Sequence, residues 1–379
     1  MNDFTFATAT LIRFGVGVAS ELSQHSARLG QRAFLVTGAS PDRNAHLLGP
    51  VTGAACVTGE PTFDDARAAV ASARAAGADH IIGVGGGAVL DLAKAVAILA
   101  VSDADPMDHA EVIGAGRPLP AQALPFIAVP TTAGTGAEVT SNAVLHSVEH
   151  RVKVSLRSSA MVADVALVDP ELSLSCPPVV TAQSGMDAIT QCLEPLTSRF
   201  ANPLVDALCV AGLKAGARSL VRAVEYGDDL DARTDMAFCS LMGGLSLANA
   251  KLGAVHGLAG VLGGVTGDSH GAICAALLRV TTFTNIAAMR QREPDNPGLV
   301  AYAVAAKAIT GEREVAALFD WLSVLESRLA LPGLFLPSAE RDAVVEGAKR
   351  SSSMKGNPID LTRDELHNIL VESTGAHPL

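Results

Sequence analysis

The stretch HIIGVGGGAVLDLAK, residues 80–94, joins an apolar segment to a helical pattern through three consecutive glycines. Such an apolar run is typical of a strand buried on both faces of a parallel sheet, and the glycines predict a tight turn into a helix. Two further apolar runs, Arg32–Thr37 and Pro125–Pro130, have the same character. Strands that alternate with helices in this way predict a doubly wound α/β unit.

The patterns on either side extend this unit. Residues 62–77 have helical spacing, with Thr62 as the predicted N-cap and two aspartates in the first turn. The helix after the glycines is expected to run to Ala100. Residues 4–16 alternate apolar and polar side chains, which predicts an opening β-hairpin.

The second half of the chain has a different character. From about residue 176 onward we predict helices at Val179–Ser198, Pro203–Gly227, Asp231–Ala250, Ala254–Gly263 and Ala272–Asn285. The predicted organisation is an α/β, Rossmann-like nucleotide-binding domain over residues 1–175 and an all-α helical-bundle domain for metal and substrate over residues 176–379.

Composition limits the classes of function. A length of 379 residues favours two domains, and a hydrophobic content of 49% excludes a disordered chain. The net charge of −11 argues against a nucleic-acid partner. We expect no membrane span and no signal peptide, because the apolar runs are short and the N-terminus lacks a charged segment before an apolar one. Six cysteines without a C-x-x-C pair predict reduced, mostly buried thiols in a cytoplasmic protein.

Two turns after successive strands predict a nucleotide site. Gly85, Gly86 and Gly87 lie where backbone N–H groups and a helix N-terminus could approach a phosphate. The segment Pro130–Glu138 follows the next strand and supplies hydroxyls and small side chains. The plainer alternatives are a tight turn at the glycines and a helix start capped by Thr135.

The residues after the first long strand bear on the cofactor. An acidic side chain at that point would bind the ribose hydroxyls of NAD and repel the additional phosphate of NADP. Thr37 is instead followed by Gly38, Ala39 and Ser40. We therefore predict NAD(P)(H), with NADP(H) slightly favoured.

Dispersed polar residues of the second half predict a metal site. Asp187 and Gln191 are four residues apart on one helical face, and His256 and His270 follow on neighbouring segments. One carboxylate and two imidazoles among small or apolar residues suit a divalent metal ion held by facing helices. Taken singly, each would be an ordinary polar residue.

Together these motifs resemble the iron-containing (group III) alcohol dehydrogenase family of the dehydroquinate synthase-like superfamily, with the maleylacetate reductase branch as a near relative. The resemblance runs through most of the chain, over Gly83–Gly87 with Asp91 and Lys94, Pro130–Thr140, Lys153, Asp169–Leu172, Gly185–Ala188, Val255–Ala259, His270 with Gly271, and Met354–Pro358. It implies a nucleotide domain, a helical metal domain and an active site in the cleft between them.

The resemblance also implies roles for single residues. Asp187, His256 and His270 match metal ligands of Zn or Fe. The predicted cofactor-binding residues are Gly38, Gly85, Gly86, Gly87, Asp91, Thr131, Thr132, Thr135, Lys153 and Leu172. Two positions depart from the family pattern, since Gln191 and Gly260 stand where histidines are usual. Gln191 could still bind through its carbonyl oxygen, or the other three residues could hold zinc alone, as in glycerol dehydrogenases of the superfamily.

The implied function is a metal-assisted, NAD(P)-dependent oxidoreductase that interconverts an alcohol and an aldehyde or ketone. His256 and Lys251 are the catalytic candidates, Lys251 because it could attract a carboxylate-bearing substrate. Two alternatives stay open: a maleylacetate-reductase-like enzyme that reduces an unsaturated keto acid without metal, and a dehydroquinate-synthase-like lyase or silent nucleotide-binding relative. The expected partner is a small alcohol or carbonyl compound, and family habit implies a homodimer or a larger homo-oligomer.

Overall fold

A parallel six-stranded sheet dominates the N-terminal half of the computed structural model, which describes residues 3–110 and 113–375. The sheet strands are β1 (Leu11–Phe14), β2 (Ala33–Thr37), β3 (Gly53–Cys56), β4 (His80–Gly85), β5 (Phe126–Pro130) and β8 (Val165–Val168). They are ordered β1-β8-β5-β4-β2-β3. Strands β6 (Asn142–Ser147) and β7 (Val152–Arg157) form a separate antiparallel hairpin.

The predicted α/β elements are confirmed. Every residue of β2, β4 and β5 is buried, because helices cover both faces of a parallel sheet. The helices of this part are α1 (Leu22–Leu29), α2 (Phe63–Ala75) and α3 (Gly87–Leu99). Helix α2 begins at the predicted cap, where the Thr62 hydroxyl accepts from the Asp65 N–H and the Asp65 carboxylate accepts from the Thr62 N–H.

The opening hairpin predicted for residues 4–16 is wrong. Only Leu11–Phe14 forms a strand, and it pairs in parallel with β8, so that Leu11 lies opposite Val165. The alternation is real, since β1 has one face more exposed than the other, but a period of two does not identify the partner strand. Earlier in the chain, the backbone of Ala7 exchanges two hydrogen bonds of 2.7 and 2.9 Å with the side-chain amide of Asn249.

Helices make up most of the C-terminal half. They are α4 (Pro178–Thr197), α5 (Pro203–Glu225), α6 (Leu230–Ala250), α7 (Ala254–Thr266), α8 (His270–Arg292), α9 (Pro297–Thr310), α10 (Val315–Leu329), α11 (Arg341–Arg350) and α12 (Arg363–Ser373). The five predicted helices are confirmed, although α8 begins two residues earlier and ends seven residues later than its pattern indicated. The exception to the helical character is a short parallel pair, β9 (Leu334–Phe335) with β10 (Thr374–Gly375).

The described chain forms two compact units. The α/β unit comprises residues 8–132 and 136–174, and the helical unit comprises residues 3–7, 133–135 and 175 onward. The predicted division after residue 175 stays a prediction. By length and composition α8 could cross a membrane, and so could α6 and α7 if they formed one bent span, but 72% of the apolar stretch of α8 is buried. A buried apolar helix is what the core of a helical bundle requires.

Candidate active site

Three of the predicted metal ligands lie together in the helical unit. The Asp187 Oδ1 atom of α4 is 3.1 Å from the His256 Nε2 atom of α7 and 3.7 Å from the His270 Nε2 atom of α8. A fourth donor is the Cys274 Sγ atom, 3.9 Å from His256 Nε2 and 3.7 Å from His270 Nε2. All four donor atoms lie within 4.8 Å of one another, and every residue except the partly exposed His270 is buried.

A close helix contact brings His270 to Asp187. A Cβ atom on Gly271 would lie 2.3 Å from the carbonyl oxygen of Gln183, a backbone atom of α4 that has no room to move. Only glycine therefore lets the first turn of α8 approach α4 this closely. The absence of a side chain on Gly271 therefore allows the imidazole of His270 to reach Asp187.

His256 is held by contacts at the start of α7. Its Nδ1 atom is 2.7 Å from Glu194 Oε2, and the other Glu194 oxygen accepts from the Val255 N–H at 2.7 Å. The side-chain oxygen of Asn357 accepts from the Ala254 N–H at 3.0 Å. These contacts turn Nε2 of His256 toward Asp187. Pairing of a ligating histidine with a carboxylate through its other nitrogen is the usual way to orient a metal ligand.

The electrostatics of the cluster favour a cation. Burial would raise the pKa of Asp187, but His270 and His256 hold it below its usual range. Burial would lower the pKa of both histidines, yet Cys274 with Glu194 raises that of His256 well above its usual value, and Cys274 with Asp187 raises that of His270 to about 9. Positive charge is thus stabilised where the donor atoms meet, and the donor set fits a divalent metal ion.

Gln191 lies beside the cluster and contacts Asp187. Its Nε2 atom donates to Asp187 Oδ2 at 3.0 Å, one helical turn earlier on α4. Its Oε1 atom is buried without a hydrogen-bond partner and lies 3.5 Å from where a Cβ on Gly243 would stand. Gln191 therefore holds the second carboxylate oxygen, and its assignment as a ligand stays a prediction.

Three residues of this centre, Cys274, Glu194 and Asn357, are not among those predicted from the sequence. Cys274 follows His270 by four residues, and Glu194 follows Asp187 by seven, so helical spacing could have identified both. Asn357 lies within the quoted Met354–Pro358 motif but was given no role. Its function is visible only in the fold, since it bonds to the distant start of α7.

Lys251 directly follows the last residue of α6. It has an unusual positive φ of 61°, its side chain is exposed, and its ammonium is 4.3 Å from the centroid of the Phe200 ring. The contact is a cation–π interaction. The substrate-attracting role of Lys251 stays a prediction.

The glycine turn of the α/β unit has the predicted geometry. Helix α3 begins one residue after β4, and no side chain caps it at Gly86, so its first N–H groups have no acceptor from the cap residue. A Cβ on Gly85 would lie 2.5 Å from Val89 Cγ2, and one on Gly86 would lie 3.2 Å from Thr132 Oγ1. The Thr131 N–H donates to the Gly85 carbonyl at 2.9 Å, which places the two predicted turns side by side.

The charged residues behind this turn are already paired. The buried Lys94 ammonium is 2.9 Å from Asp91 Oδ1 and donates to Thr140 Oγ1 at 3.0 Å. The other Asp91 oxygen accepts from the Val144 N–H at 3.1 Å. Burial raises the pKa of Asp91, and Lys94 opposes that shift. These contacts give Asp91 a structural role, and its contact with a cofactor stays a prediction.

The remaining predicted cofactor residues are spread over the first half of the chain. Lys153 lies on β7 with its ammonium 3.0 Å from Glu60 Oε1. Gly38 follows β2 and accepts from the Cys56 thiol at 3.1 Å. Leu172 packs, partly buried, against an apolar core cluster of the α/β unit.

Thr135 does not cap a helix. Gly136 precedes a short 3-10 turn, Ala137–Val139, with φ of 59° and no side-chain cap. The capped helix start is therefore wrong, because glycine supplies the left-handed residue from which this turn begins. Residues 133–135 group with the helical unit, where a Cβ on Gly134 would lie 2.7 Å from Ser184 Cβ.

Known families match most of the chain. The family described as iron-containing alcohol dehydrogenase matches residues 9–170, and the C-terminal part of the Fe-containing alcohol dehydrogenase family matches residues 181–374. Long-chain-alcohol dehydrogenase 1 of Geobacillus thermodenitrificans is 46% identical over 222 residues, which are 59% of this chain and 55% of that protein.

Solved structures share the fold along the whole chain. A 1,3-propanediol oxidoreductase is 28% identical with a TM-score of 0.88, and the match covers 98% of this chain and 100% of that one. A sulfoacetaldehyde reductase from Bifidobacterium kashiwanohense in complex with NAD+ is 28% identical with a TM-score of 0.87, over 97% of this chain and 98% of that one.

Proposed function

We propose that Asp187, His256 and His270 hold the catalytic metal ion of this chain, which belongs to the iron-containing alcohol dehydrogenase family as an NAD(P)-dependent oxidoreductase acting between alcohols and aldehydes. The observation that carries this proposal is the convergence of one carboxylate and two imidazoles from three helices on one buried point. Three protein ligands of this kind are typical of catalytic zinc sites.

A divalent metal ion bound here would act as a Lewis acid on a substrate carbonyl or alcohol oxygen. The residues of the chain then have distinct tasks. Glu194 accepts from Nδ1 of His256 and so keeps Nε2 directed at the cluster, while Gln191 fixes the second oxygen of Asp187. The N–H groups at the start of α3 would bind the cofactor pyrophosphate, because a helix N-terminus favours a negative charge.

The finer properties of the enzyme are part of the same proposal. We propose dual use of NAD and NADP with a slight preference for NADP(H), since no carboxylate follows β2 at residues 38–40. The substrate is a small-molecule alcohol or aldehyde. None of the six cysteines forms a disulfide, which supports a reducing, cytoplasmic setting, and we propose a homodimer or larger homo-oligomer.

Metal content and activity of Asp187→Asn test the proposal. Because a Lewis acid contributes several kcal/mol to the transition state, we expect the variant to lose bound metal and activity, on the order of 10³-fold. The exposed Asp64→Asn on α2 serves as the control and should keep both. Full activity in a metal-free, chelator-treated protein with a keto acid would contradict the metal proposal and favour the maleylacetate-reductase-like alternative.

A further inference from the structure

The metal cluster contains one donor more than the three proposed ligands. We propose that the Cys274 thiolate is the fourth ligand, that Gln191 is not a ligand, and that the site therefore selects zinc or cobalt over iron. This inference rests on the proposed metal site and specifies its chemistry.

Cys274 lies at the distance that a shared metal ion requires. Four donors bound at about 2.0–2.3 Å in a tetrahedron would lie about 3.3–3.8 Å apart. Cys274 Sγ is 3.7 Å from His270 Nε2 and 3.9 Å from His256 Nε2, and Asp187 Oδ1 is 3.1 and 3.7 Å from the same nitrogens. Contraction by a few tenths of an ångström or less would bring the sulfur to ligand spacing.

The position of Cys274 on its helix makes it a natural second ligand of α8. It follows His270 by four residues, so both side chains share one face of the helix. Cys274 is fully buried, unlike Cys56, so its sulfur faces the interior of the helical unit. The close contact of Gly271 with α4 brings the His270 end of α8 to Asp187.

Gln191 is engaged in another task. A carboxylate only accepts hydrogen bonds, so the amide must present its NH₂ group to Asp187 Oδ2, as the 3.0 Å contact shows. Its oxygen is then turned to the backbone of α6 near Gly243. Gln191 thus positions the carboxylate of Asp187. Cys274 of α8 supplies the donor that a histidine at position 191 would have provided.

The charge and softness of the donors decide the metal. Asp187 and a Cys274 thiolate together neutralise a dication in a buried site, whereas neutral imidazoles would leave it with a net charge. Thiolate and imidazole ligands suit zinc, and cobalt has similar preferences with a visible spectrum. A fourth protein ligand would not exclude a substrate oxygen, because zinc can accept a fifth donor.

The test uses the full-length protein loaded with Co²⁺ or Zn²⁺. We expect a thiolate-to-cobalt charge-transfer band in the near ultraviolet, lost in Cys274→Ala and kept in the matched variant Cys56→Ser. The zinc affinity of Cys274→Ala should fall at least tenfold, with Gln191→Ala falling less. X-ray absorption of zinc-loaded wild type should show one sulfur at about 2.3 Å, a measurement that needs no variant.

Each outcome bears on a different claim. A cobalt-loaded wild type without the band, or a zinc site without sulfur, would overturn the role of Cys274 and leave the three-ligand site intact. A larger loss of affinity in Gln191→Ala than in Cys274→Ala would make the amide the fourth ligand instead. Absence of metal uptake by the wild type would remove the proposed site itself together with this inference.

Discussion

Both units of the chain bury a cluster of charged side chains, and the two clusters are completed in different ways. In the α/β unit the buried Lys94 pairs with Asp91 and bonds to Thr140, so the cluster contains its own cation. In the helical unit the ionic partners of Asp187 in the described chain are two imidazoles, with a thiol beside them. We call the cluster of Asp91, Lys94 and Thr140 the closed cluster, because Lys94 supplies its cation. We call the cluster of Asp187, His256, His270 and Cys274 the open cluster, because it can bind a cation from solution.

The partner of a buried carboxylate distinguishes a charge that stabilises the fold from one that binds a ligand. A buried carboxylate next to its own ammonium contributes to the fold and gains nothing from a ligand. A carboxylate next to groups that must lose protons to bind metal is stable only when a proton or a metal ion is present. Perturbed pKa values occur in both places, since Asp91 and Asp187 are both shifted, so the identity of the partner is what distinguishes them.

The largest expected effect comes from removing the ammonium group of Lys94 from the closed cluster. Lys94→Met leaves the Asp91 carboxylate, which is 15% exposed, without a cation, and we expect the free energy of unfolding to fall by about 3–5 kcal/mol, measured by urea denaturation. The double variant Asp91→Leu/Lys94→Met should recover most of this loss. The exposed Lys214→Met is the control, and a loss below about 1 kcal/mol in Lys94→Met would erase the contrast between the clusters.

A pH experiment tests whether Glu138, a buried carboxyl group close enough to Lys94 for their charges to interact, stays protonated in the folded state. Burial raises the pKa of Glu138 to about 7, and Lys94 opposes the shift. Between the usual glutamate pKa and this value the folded state retains a proton that the unfolded state has released, so this group makes stability fall as pH rises.

We therefore expect Glu138→Gln to gain stability over wild type as the pH rises from 4.5 to 8, by roughly 1–3 kcal/mol. Unfolding free energies at several pH values measure this gain. Parallel profiles for the two proteins would show that Glu138 ionises freely in the folded state. Glu312→Gln, at an exposed position, should show no such gain.

Replacing Glu194, which holds His256 in place, should weaken metal binding by the open cluster without abolishing it. Glu194→Gln keeps the size of the side chain but loses one of the two acceptors that hold Val255 and His256. We expect zinc affinity to fall roughly 10- to 100-fold, as for other carboxylates that orient a ligating histidine. Competition with a chromophoric chelator measures the affinity. An unchanged value would show that α7 places His256 without Glu194.

The smallest effect concerns a position that carries no charge. A side chain on Gly38 has room, since its Cβ would lie 3.7 Å from Val89 Cγ2, an ordinary contact. Gly38→Asp should shift the ratio of kcat/KM for NADP and NAD about tenfold toward NAD, because the carboxylate repels the additional phosphate. Gly38→Asn, equal in size but neutral, should shift it far less, and equal shifts would point to a steric cause.

The sequence predicts those elements whose pattern lies within one continuous segment of the chain. The strand, glycine turn and helix of residues 80–99 follow from a local pattern, and so do the long helices of the second half. The partner of β1 and the hairpin of β6 and β7 did not follow, because neither is encoded by a period within one segment. The motifs around the two histidines predict part of the open cluster, whereas Cys274 belongs to none of these motifs and is indicated only by its spacing of four residues from His270.

The pairing of β1 with β8 has a consequence for synthesis on the ribosome. The first strand leaves the ribosome about 150 residues before the strand that flanks it. At about 5–20 residues per second, this interval is of the order of 10–30 s. During this interval β1 has no neighbouring strand in the sheet. Ala7 remains without its hydrogen-bond partner for longer, because Asn249 is synthesised after β8. Strand β1 therefore joins the sheet only after β8 has been synthesised.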